Sequence, residues 1–189
     1  VPFTAYFLDV GQGDCCLLVM PDRKNVLIDT GGLNGHYEVG ERVVVPALRA
    51  LGVTQIDTMI ISHGHHDHAG GAAGIARWLP VKRLLLPQEK DSNDVEKLIY
   101  IMKKTNHKIV YKMQKTIHIR FKSHIINIVD APKMAEKGGN ANESSAVVLV
   151  ACGKSKVLLT GDATSEIELA AAAAPIRSDV LKVSHHGSS

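Results

Sequence analysis

The chain has 189 residues, a length that fits a single domain whose hydrophobic core is large enough to fold without disulfide staples. An apolar fraction of 45% excludes a disordered or fibrous composition, and a net charge of +3 is too small to indicate a class of partner. No apolar run approaches the roughly 18–20 residues that span a bilayer. Three cysteines, two of them adjacent, do not make a disulfide framework.

The first half of the chain predicts strands that alternate with helices. Residues 3–11 and 15–21 are β-type runs, and the Gly-rich stretch at 11–14 predicts a hairpin turn between them. The later elements are predicted from apolar spacing and from Gly, Pro and Ser at their boundaries. They are a strand at 25–32, a helix at 40–51, a strand at 56–62, a helix at 72–79, a strand at 82–87 and a Ser-capped helix at 92–104.

The second half of the chain is predicted to be rich in β-structure. Its predicted elements are β-type runs at 108–113, 116–121 and 124–130, a Gly/Asn/Lys loop at 131–143, strands at 146–153 and 156–162, a short Ala-rich helix and a strand at 179–184. Together with the first half, this order predicts an α/β fold.

Ligand-type residues follow four of the apolar strands. Asp29 follows NVLI, His63 follows TMIIS, Asp162 follows KVLLTG, and His185 and His186 follow LKVS. Strand ends that meet at one edge of a sheet bring such residues together even when they are far apart in sequence. A single one is typical of a turn, but four indicate a common cause, and a metal site supplies one.

The densest group of these residues is HGHHDH at 63–68. His63 and His65 are two apart in an extended segment, so both side chains point the same way. Asp67 and His68 come where the chain turns into a helix. One pair of imidazoles can hold one divalent ion and the Asp–His pair a second, and these ligands suit Zn, other first-row metals or Mn. The alternative is a histidine-rich surface loop, which fits poorly between an apolar strand and a Gly-rich turn.

Two metal ions in one site indicate a reaction. Asp162 can bridge the ions, and one histidine of the 185–186 pair can complete the second site. Two ions roughly 3.5–4 Å apart clamp a phosphorus centre for in-line displacement by a bridging hydroxide. Asp67 or Asp162 is the expected proton acceptor, and the candidate general acids are His66 and whichever of His185 and His186 is not a ligand.

The spacing H-x-H-x-D-H at 63–68 is identified as the signature of the metallo-β-lactamase superfamily. The resemblance implies an αββα sandwich of two mixed sheets with helices outside. It also implies that His63 and His65 bind the first metal and that Asp67 and His68 bind the second.

The other strand-end residues match further positions of that superfamily. Asp162, in LLTGD, matches the bridging aspartate, and Asp29, in LIDTGG, matches an early aspartate that supports the site without necessarily binding metal. One residue of the 185–186 pair should match the last histidine. His185 is the favoured one, although the sequence does not separate it from His186.

Within the superfamily, the sequence resembles the lactamase-like domain of the ComEC competence proteins. FLDVGQGDCCLLVMPDRKNVLIDTGG is similar to the start of that domain, and GERVVVPALRALGVTQID with SHGHHDHAGG continues the match. NESSAVVL, KVLLTGDA and DVLKVSHHGSS complete it. The similarity is weak between about 88 and 137.

The ComEC resemblance implies a metal-dependent phosphodiesterase, a nuclease that degrades the non-transported DNA strand during natural transformation. Its implied cofactors are two divalent metal ions, Zn or Mn, with no nucleotide cofactor. Its implied partners are DNA, as a single strand or duplex backbone, and the remainder of a membrane DNA-uptake channel protein. Residues 1–189 are expected to form one C-terminally incomplete domain of a longer polypeptide, located at the extracytoplasmic face of the bacterial inner membrane.

One position departs from the wider superfamily. Its dizinc hydrolases have a third first-metal histidine between the 63–68 motif and the bridging aspartate, where this chain offers Asn142 and Ser145. His118 and His124 lie earlier, inside β-type runs. With fewer imidazoles, the first metal should bind more weakly, and the site should either favour a harder ion such as Mn²⁺ or fill only when substrate is present. Asn142 and Ser145 either contact a phosphate oxygen or merely end a loop.

A basic stretch and three further functions complete the expectations. Residues 97–129 contain seven Lys, one Arg and no Asp or Glu, which fits either a phosphate groove or a solvated face. The alternative functions are a secreted phosphoesterase acting on small phosphodiesters or phosphocholine, a catalytically degenerate DNA- or partner-binding domain, and a true β-lactamase. The last is disfavoured by the missing histidine.

Overall fold

The structure is a computed structural model that describes residues 1–34, 37–86, 92–105, 110–112, 117–121, 124–129, 145–164 and 177–187. The chain divides into two compact units. The N-terminal unit comprises Val1–Leu86 and Lys90–Lys112, and the C-terminal unit comprises Pro87–Glu89 and Met113–Ser189.

A six-stranded mixed sheet forms the centre of the N-terminal unit. Its strands, in chain order, are β1 (Thr4–Phe7), β2 (Cys16–Val19), β3 (Asn25–Ile28), β6 (Thr58–Ile60), β7 (Leu84–Leu86) and β8 (Val110–Lys112). Two short strands, β4 (Leu33–Asn34) and β5 (Tyr37–Glu38), pair separately and were not predicted. The predicted hairpin is confirmed, because β1 and β2 pair antiparallel with Phe7 opposite Cys16.

The strand directions place several carboxyl ends at one edge of this sheet. β3 and β6 run parallel with Ile28 opposite Ile60, and β6 and β7 run parallel with Ile60 opposite Leu85. Asp29 directly follows β3, and the histidine motif follows β6. Within this unit, the strand-end prediction is therefore confirmed.

In the described part of the N-terminal unit, four α-helices accompany the sheet. They are α1 (Val45–Ala50), α2 (His66–Ala69), α3 (Ala72–Trp78) and α4 (Asn93–Lys104). Ser92 is the N-cap of α4, as predicted, and its Oγ accepts a hydrogen bond from the Val95 N–H. No helix in the ranges that the structure describes is long and apolar enough to cross a membrane.

The predicted helix at 40–51 begins with a π-helical turn, Gly40–Val44, which continues into α1. The Val45 N–H donates to Gly40 O, five residues earlier. Pro46 follows and has no N–H to donate, so the regular i→i−4 pattern is interrupted at this point. Apolar spacing predicts the helical face but does not reveal this wider turn.

The core of the N-terminal unit is built from the central strands and α3. Leu27, Met59 and Leu84 are fully buried on adjacent strands. Residues Ala72–Ala76 of α3, in the sequence AAGIA, are buried as well. All of them except Ile75 are small, which lets the helix pack closely.

The two adjacent cysteines, Cys15 and Cys16, are buried as well. Burial raises the pKa of the Cys15 thiol well above its usual value, and the neighbouring Cys16, Asp29 and Asp14 raise it further. Burial, with the charges of Asp14 and Asp29, raises the pKa of Cys16 to about 12. Cys152, in the other unit, is partly buried.

The C-terminal unit contains a five-stranded sheet in the order β13-β12-β11-β10-β9. These strands are β9 (Ile117–Phe121), β10 (His124–Val129), β11 (Val147–Cys152), β12 (Ser155–Leu159) and β13 (Val180–Lys182). All neighbours are antiparallel except β12 and β13, which run parallel with Leu159 opposite Lys182. The predicted loop at 131–143 and the Ala-rich helix lie outside the described residues.

Asp57 links three strand beginnings in the N-terminal unit. Its carboxylate accepts hydrogen bonds from the Asn25 N–H at 3.1 Å, Lys24 Nζ at 3.4 Å and Lys82 Nζ at 3.2 Å. Burial opposes ionisation of this carboxyl, but the Asn25 hydrogen bond and the two lysines outweigh it and lower the pKa of Asp57. Asp57 therefore stabilises the fold as a carboxylate.

We expect Asp57→Asn to lower the free energy of unfolding at pH 7 by about 1–2 kcal/mol, because charge-assisted hydrogen bonds are lost. The folded pKa is below the unfolded value of about 3.9, so the stabilisation is present above that pH and is lost as the pH falls through the folded pKa. Urea unfolding from neutral to acidic pH should show the gap to wild type closing. Asp22→Asn, at an exposed turn, is the matched control; an equal loss in both variants would contradict this role.

Candidate metal centre

The predicted histidine motif forms the loop from β6 into α2. His63 lies three residues after the end of β6, and His65 is the N-cap residue of α2 with extended backbone. His63 and His68 are fully buried, whereas His65 and Asp67 are partly exposed. The motif therefore combines two buried imidazoles with an imidazole and a carboxylate that solvent can reach.

The imidazoles of this loop are grouped tightly. The ring centroids of His63 and His65 are 4.8 Å apart, and those of His63 and His68 are 4.2 Å apart. Asp67 Oδ2 lies 3.9 Å from His68 Nε2. Of the metal ligands that the resemblance implies, four lie in the N-terminal unit, and the structure groups them closely: His63, His65, Asp67 and His68.

The buried carboxylate of Asp29 supports this group. Its Oδ1 accepts a hydrogen bond from the Ser62 N–H at 2.7 Å, and its Oδ2 accepts one from Ser62 Oγ at 2.7 Å. The same Oδ2 lies 3.0 Å from His68 Nδ1. Asp29 therefore joins the end of β3 to both ends of the histidine loop.

This network assigns the tautomers of two histidines. Ser62 Oγ donates its proton to Asp29, so it accepts from His63 Nδ1, which lies 3.1 Å away. His68 Nδ1 donates to Asp29 by the same reasoning. A neutral imidazole that carries its proton on Nδ1 has its lone pair on Nε2, the form in which histidine binds metals.

The Gly-rich turn at 11–14 also holds the histidine loop in place. The Asp14 N–H donates to Asp67 O at 3.2 Å, and Asp14 O accepts from the Gly31 N–H at 2.8 Å. Asp14 Oδ2 also lies 3.7 Å from His68 Nδ1. Sequence reasoning treated this stretch only as a turn and missed the contribution of Asp14, although the distinctive VGQGD motif was the available signal.

His66 occupies the variable position of the motif and is exposed. Its Nδ1 lies 2.6 Å from Asp94 Oδ2 in α4. Ser92 Oγ, at the start of the same helix, donates to Gly64 O at 2.6 Å. The amino end of α4 thus holds the outer side of the loop, which sequence reasoning did not predict.

The C-terminal unit collects the remaining predicted residues that the structure describes. Asp162 is buried, and its N–H donates to Ser145 Oγ at 3.0 Å. Asp162 Oδ1 lies 3.9 Å from His186 Nε2 and 3.9 Å from Lys182 Nζ. Parallel pairing of β12 and β13 brings these residues to one edge of the sheet.

The two candidate histidines at 185 and 186 differ in their surroundings. Both have left-handed backbone, with φ of 48° at His185 and 52° at His186. The His185 N–H donates to Gly161 O, whereas the imidazole of His186 is the one placed beside Asp162. Ser145 is buried against Asp162, and Asn142 lies outside the described residues. A contact of either with substrate stays a prediction, and Lys182 is a neighbour of Asp162 that sequence reasoning missed.

A comparison with protein families identifies the chain. The profile described as "Metallo-beta-lactamase superfamily" matches residues 8–189. The chain belongs to the metallo-β-lactamase superfamily. The predicted membership and the α/β class with mixed sheets are thus confirmed.

Two curated relatives connect this superfamily member to competence proteins. It is 31% identical over 197 residues to "ComE operon protein 3" of Bacillus subtilis (strain 168), covering 96% of the chain and 25% of that protein. It is 32% identical over 181 residues to "Recombination protein 2" of Haemophilus influenzae, covering 96% of the chain and 21% of that protein. The chain therefore spans about a quarter or less of these relatives, and the predicted ComEC-type resemblance is confirmed.

A solved structure with the same fold is the metallo-β-lactamase SMB-1 bound to 2-mercaptoethanesulfonate. Its TM-score is 0.64 at 14% identity, and the match covers 96% of the chain and 76% of SMB-1. This similarity shows the fold of the metallo-β-lactamase superfamily. Members of this superfamily typically bind divalent metal ions, and the donors of the histidine loop, imidazole nitrogens with a carboxylate, fit such an ion.

We expect Gly13→Ala to disrupt the support beneath the histidine loop. A Cβ at Gly13 would lie 2.1 Å from Asp67 O, and the φ of 124° disfavours any side chain. The free energy of unfolding should fall by about 3 kcal/mol or more. Gly52→Ala is the matched control, because its φ is also positive at 77° but nothing lies within 4 Å, so backbone strain alone should cost about 1 kcal/mol. Equal losses in urea unfolding would contradict the contact.

Proposed function

We propose that this chain is a metal-dependent phosphodiesterase that cleaves DNA. The observation that carries the proposal is the buried network in which Asp29 and Ser62 orient His63 and His68, so that both present Nε2 as a metal ligand. The family membership and the competence and recombination names of the relatives support DNA as the substrate class.

The proposed metal ligands follow the motif residue by residue. His63 and His65 bind one ion, and Asp67 and His68 bind a second, in keeping with their grouping in the loop. Asp162 and one histidine of the 185–186 pair complete the ligand set.

His186 is the better candidate for that last ligand, which reverses the preference taken from sequence. Its Nε2 lies 3.9 Å from Asp162 Oδ1, whereas His185 is tied to the same turn through its backbone N–H, which donates to Gly161 O. Zn or Mn ions held by these residues would lower the pKa of a water and would supply positive charge for the scissile phosphate.

The protein's own groups then handle the proton. Asp67, which is partly exposed, is the proposed proton acceptor, with Asp162 as the second candidate. His66 remains the candidate donor to the leaving oxygen, because it is exposed and its imidazole is oriented by the contact of Nδ1 with Asp94. Asn142 and Ser145 are the proposed phosphate contacts in place of the missing histidine.

The DNA substrate is supported by the relatives and by charge. The basic stretch at 97–129 carries Lys103 and Lys104 at the end of α4, where both are exposed. Cationic side chains of this kind bind phosphates without base specificity. We propose that the substrate is the non-transported strand in natural transformation, and that the chain acts with the remainder of an inner-membrane DNA-uptake channel protein at its extracytoplasmic face.

A catalytically degenerate domain is the second candidate. It is favoured by the buried position of Ser145, whose hydroxyl is engaged by the Asp162 N–H in the region where a third histidine stands in the dizinc hydrolases. Such a domain would bind DNA or a protein partner, and metal binding without turnover would identify it. An enzyme for small phosphodiesters or phosphocholine would instead cleave a small chromogenic diester and leave DNA intact.

We expect the protein to cleave labelled single- or double-stranded DNA in the presence of Mn²⁺ or Zn²⁺ and to stop when EDTA is added. Asp67→Ala should reduce the rate by about 100-fold or more, because a metal ligand and proton acceptor is lost. Gel analysis of both strands under single-turnover conditions measures the rate and the strand preference.

The controls separate catalysis from folding. Asp9→Asn, which removes an exposed carboxylate, should cleave DNA at the wild-type rate. Thermal unfolding should show that Asp67→Ala is folded. A wild-type protein that binds metal but leaves DNA uncleaved would contradict the nuclease proposal and favour the degenerate domain.

Asp29→Asn tests the support network directly. An amide at this position has only one acceptor oxygen, so it cannot accept from the Ser62 N–H, the Ser62 hydroxyl and His68 Nδ1 together. The tautomers of His63 and His68 are then no longer fixed. The affinity for Mn²⁺ or Zn²⁺ should fall roughly 10–100-fold, as is typical when a carboxylate behind a metal-binding histidine is replaced. Calorimetric titration of the folded variant measures this change, and an affinity equal to that of wild type would remove Asp29 from the site.

A further inference from the structure

Lys182 is a cation placed beside the buried carboxylate of Asp162. Its Nζ lies 3.9 Å from Asp162 Oδ1 and donates to Gly161 O at 2.9 Å. Its side chain retains only 15% of its exposure. A mostly buried ammonium group this close to a carboxylate acts on it much more strongly than a surface lysine does.

The local fold fixes this placement. Lys182 is the last residue of β13 and stands opposite Leu159 of the parallel strand β12. Its carbonyl accepts from Thr160 Oγ1 at 2.8 Å, so its backbone is tied to the segment that leads to Asp162. Main chain and side chain of Lys182 therefore both hold the turn at 160–162.

The charges around Asp162 bear on how it binds a cation. His186 Nε2 lies 3.9 Å from the same Oδ1, and Ser145 Oγ accepts from the backbone N–H. Of these groups Lys182 brings the ammonium group, a compact cation on a flexible stem. An ion that approaches the Asp162 carboxylate is repelled by that charge and must compete with it.

We propose that Lys182 is a positioning residue that holds Asp162 in place and weakens cation binding there. This inference rests on the proposed function, in which Asp162 is a metal ligand. The ammonium group partly neutralises the carboxylate, so the ion is held less tightly than the ligand set alone would hold it. Lys182 thereby sets the metal affinity of the site.

Lys182→Met removes the charge and should tighten Mn²⁺ binding by about tenfold, since a nearby repulsion is lost. Lys182→Arg keeps the charge and should bind Mn²⁺ as wild type does. Lys182→Gln is neutral but retains a donor for Gly161 O, so tighter binding by this variant assigns the effect to charge and not to a lost hydrogen bond. Lys154→Met removes an exposed charge from the turn between β11 and β12 and should change nothing.

Calorimetric titration of Mn²⁺ into the full chain at neutral pH measures the affinities, with circular dichroism as the check on folding. If Lys182→Met does not fold, Lys182→Gln carries the test. Neutral variants that bind Mn²⁺ no more tightly than wild type overturn the role of Lys182 alone. If neither the wild type nor the neutral variants bind Mn²⁺, and a parallel titration shows no binding of Zn²⁺, this inference and the proposed function both fail. DNA cleavage is measured separately. If the neutral variants bind Mn²⁺ more tightly but the protein does not cleave DNA, the role of Lys182 at the metal site stands and only the proposed nuclease activity is contradicted.

Discussion

The carboxylate of Asp29 is the constraint on which the N-terminal unit depends. A buried carboxylate is costly unless hydrogen bonds surround it, and here the Ser62 backbone, the Ser62 hydroxyl and the His68 ring provide them. Satisfying that one group fixes the end of β3 against the loop that follows β6. The orientation of His63 and His68 is then a result of how Asp29 is solvated by the protein, and the metal-binding form of both rings is prepared by the fold itself.

The neighbouring turns hold the same loop. Two of its backbone carbonyls accept hydrogen bonds from segments outside it. Asp67 O receives the Asp14 N–H, and His68 O receives both the N–H and the hydroxyl of Thr30. The VGQGD and DTGG motifs thus both hold the backbone of one loop. Although they stand far from the histidines in sequence, they belong to the same site.

Much of this architecture was accessible from the sequence, and what was missed has a common physical cause. Strand ends with Asp29, His63 and Asp162 were predicted because short apolar runs followed by polar residues are local patterns. The Ser92 cap was local as well. The π turn before α1, the partnership of Asp94 with His66 and the position of Lys182 beside Asp162 depend on long-range packing or on strand register, which one sequence does not encode locally. The preference between His185 and His186 depends on two left-handed backbone conformations that side-chain patterns do not reveal.

The two buried cysteines have a consequence for the redox chemistry of the protein. Burial above all, with the charges of Asp14 and Asp29, raises the pKa of both thiols. The thiolate is the form that attacks disulfides and reacts with oxidants. Thiols kept protonated in this way react slowly, so Cys15 and Cys16 resist oxidation although they are adjacent in the sequence. The two carboxylates beside His68 thus also help to keep a neighbouring pair of thiols unreactive.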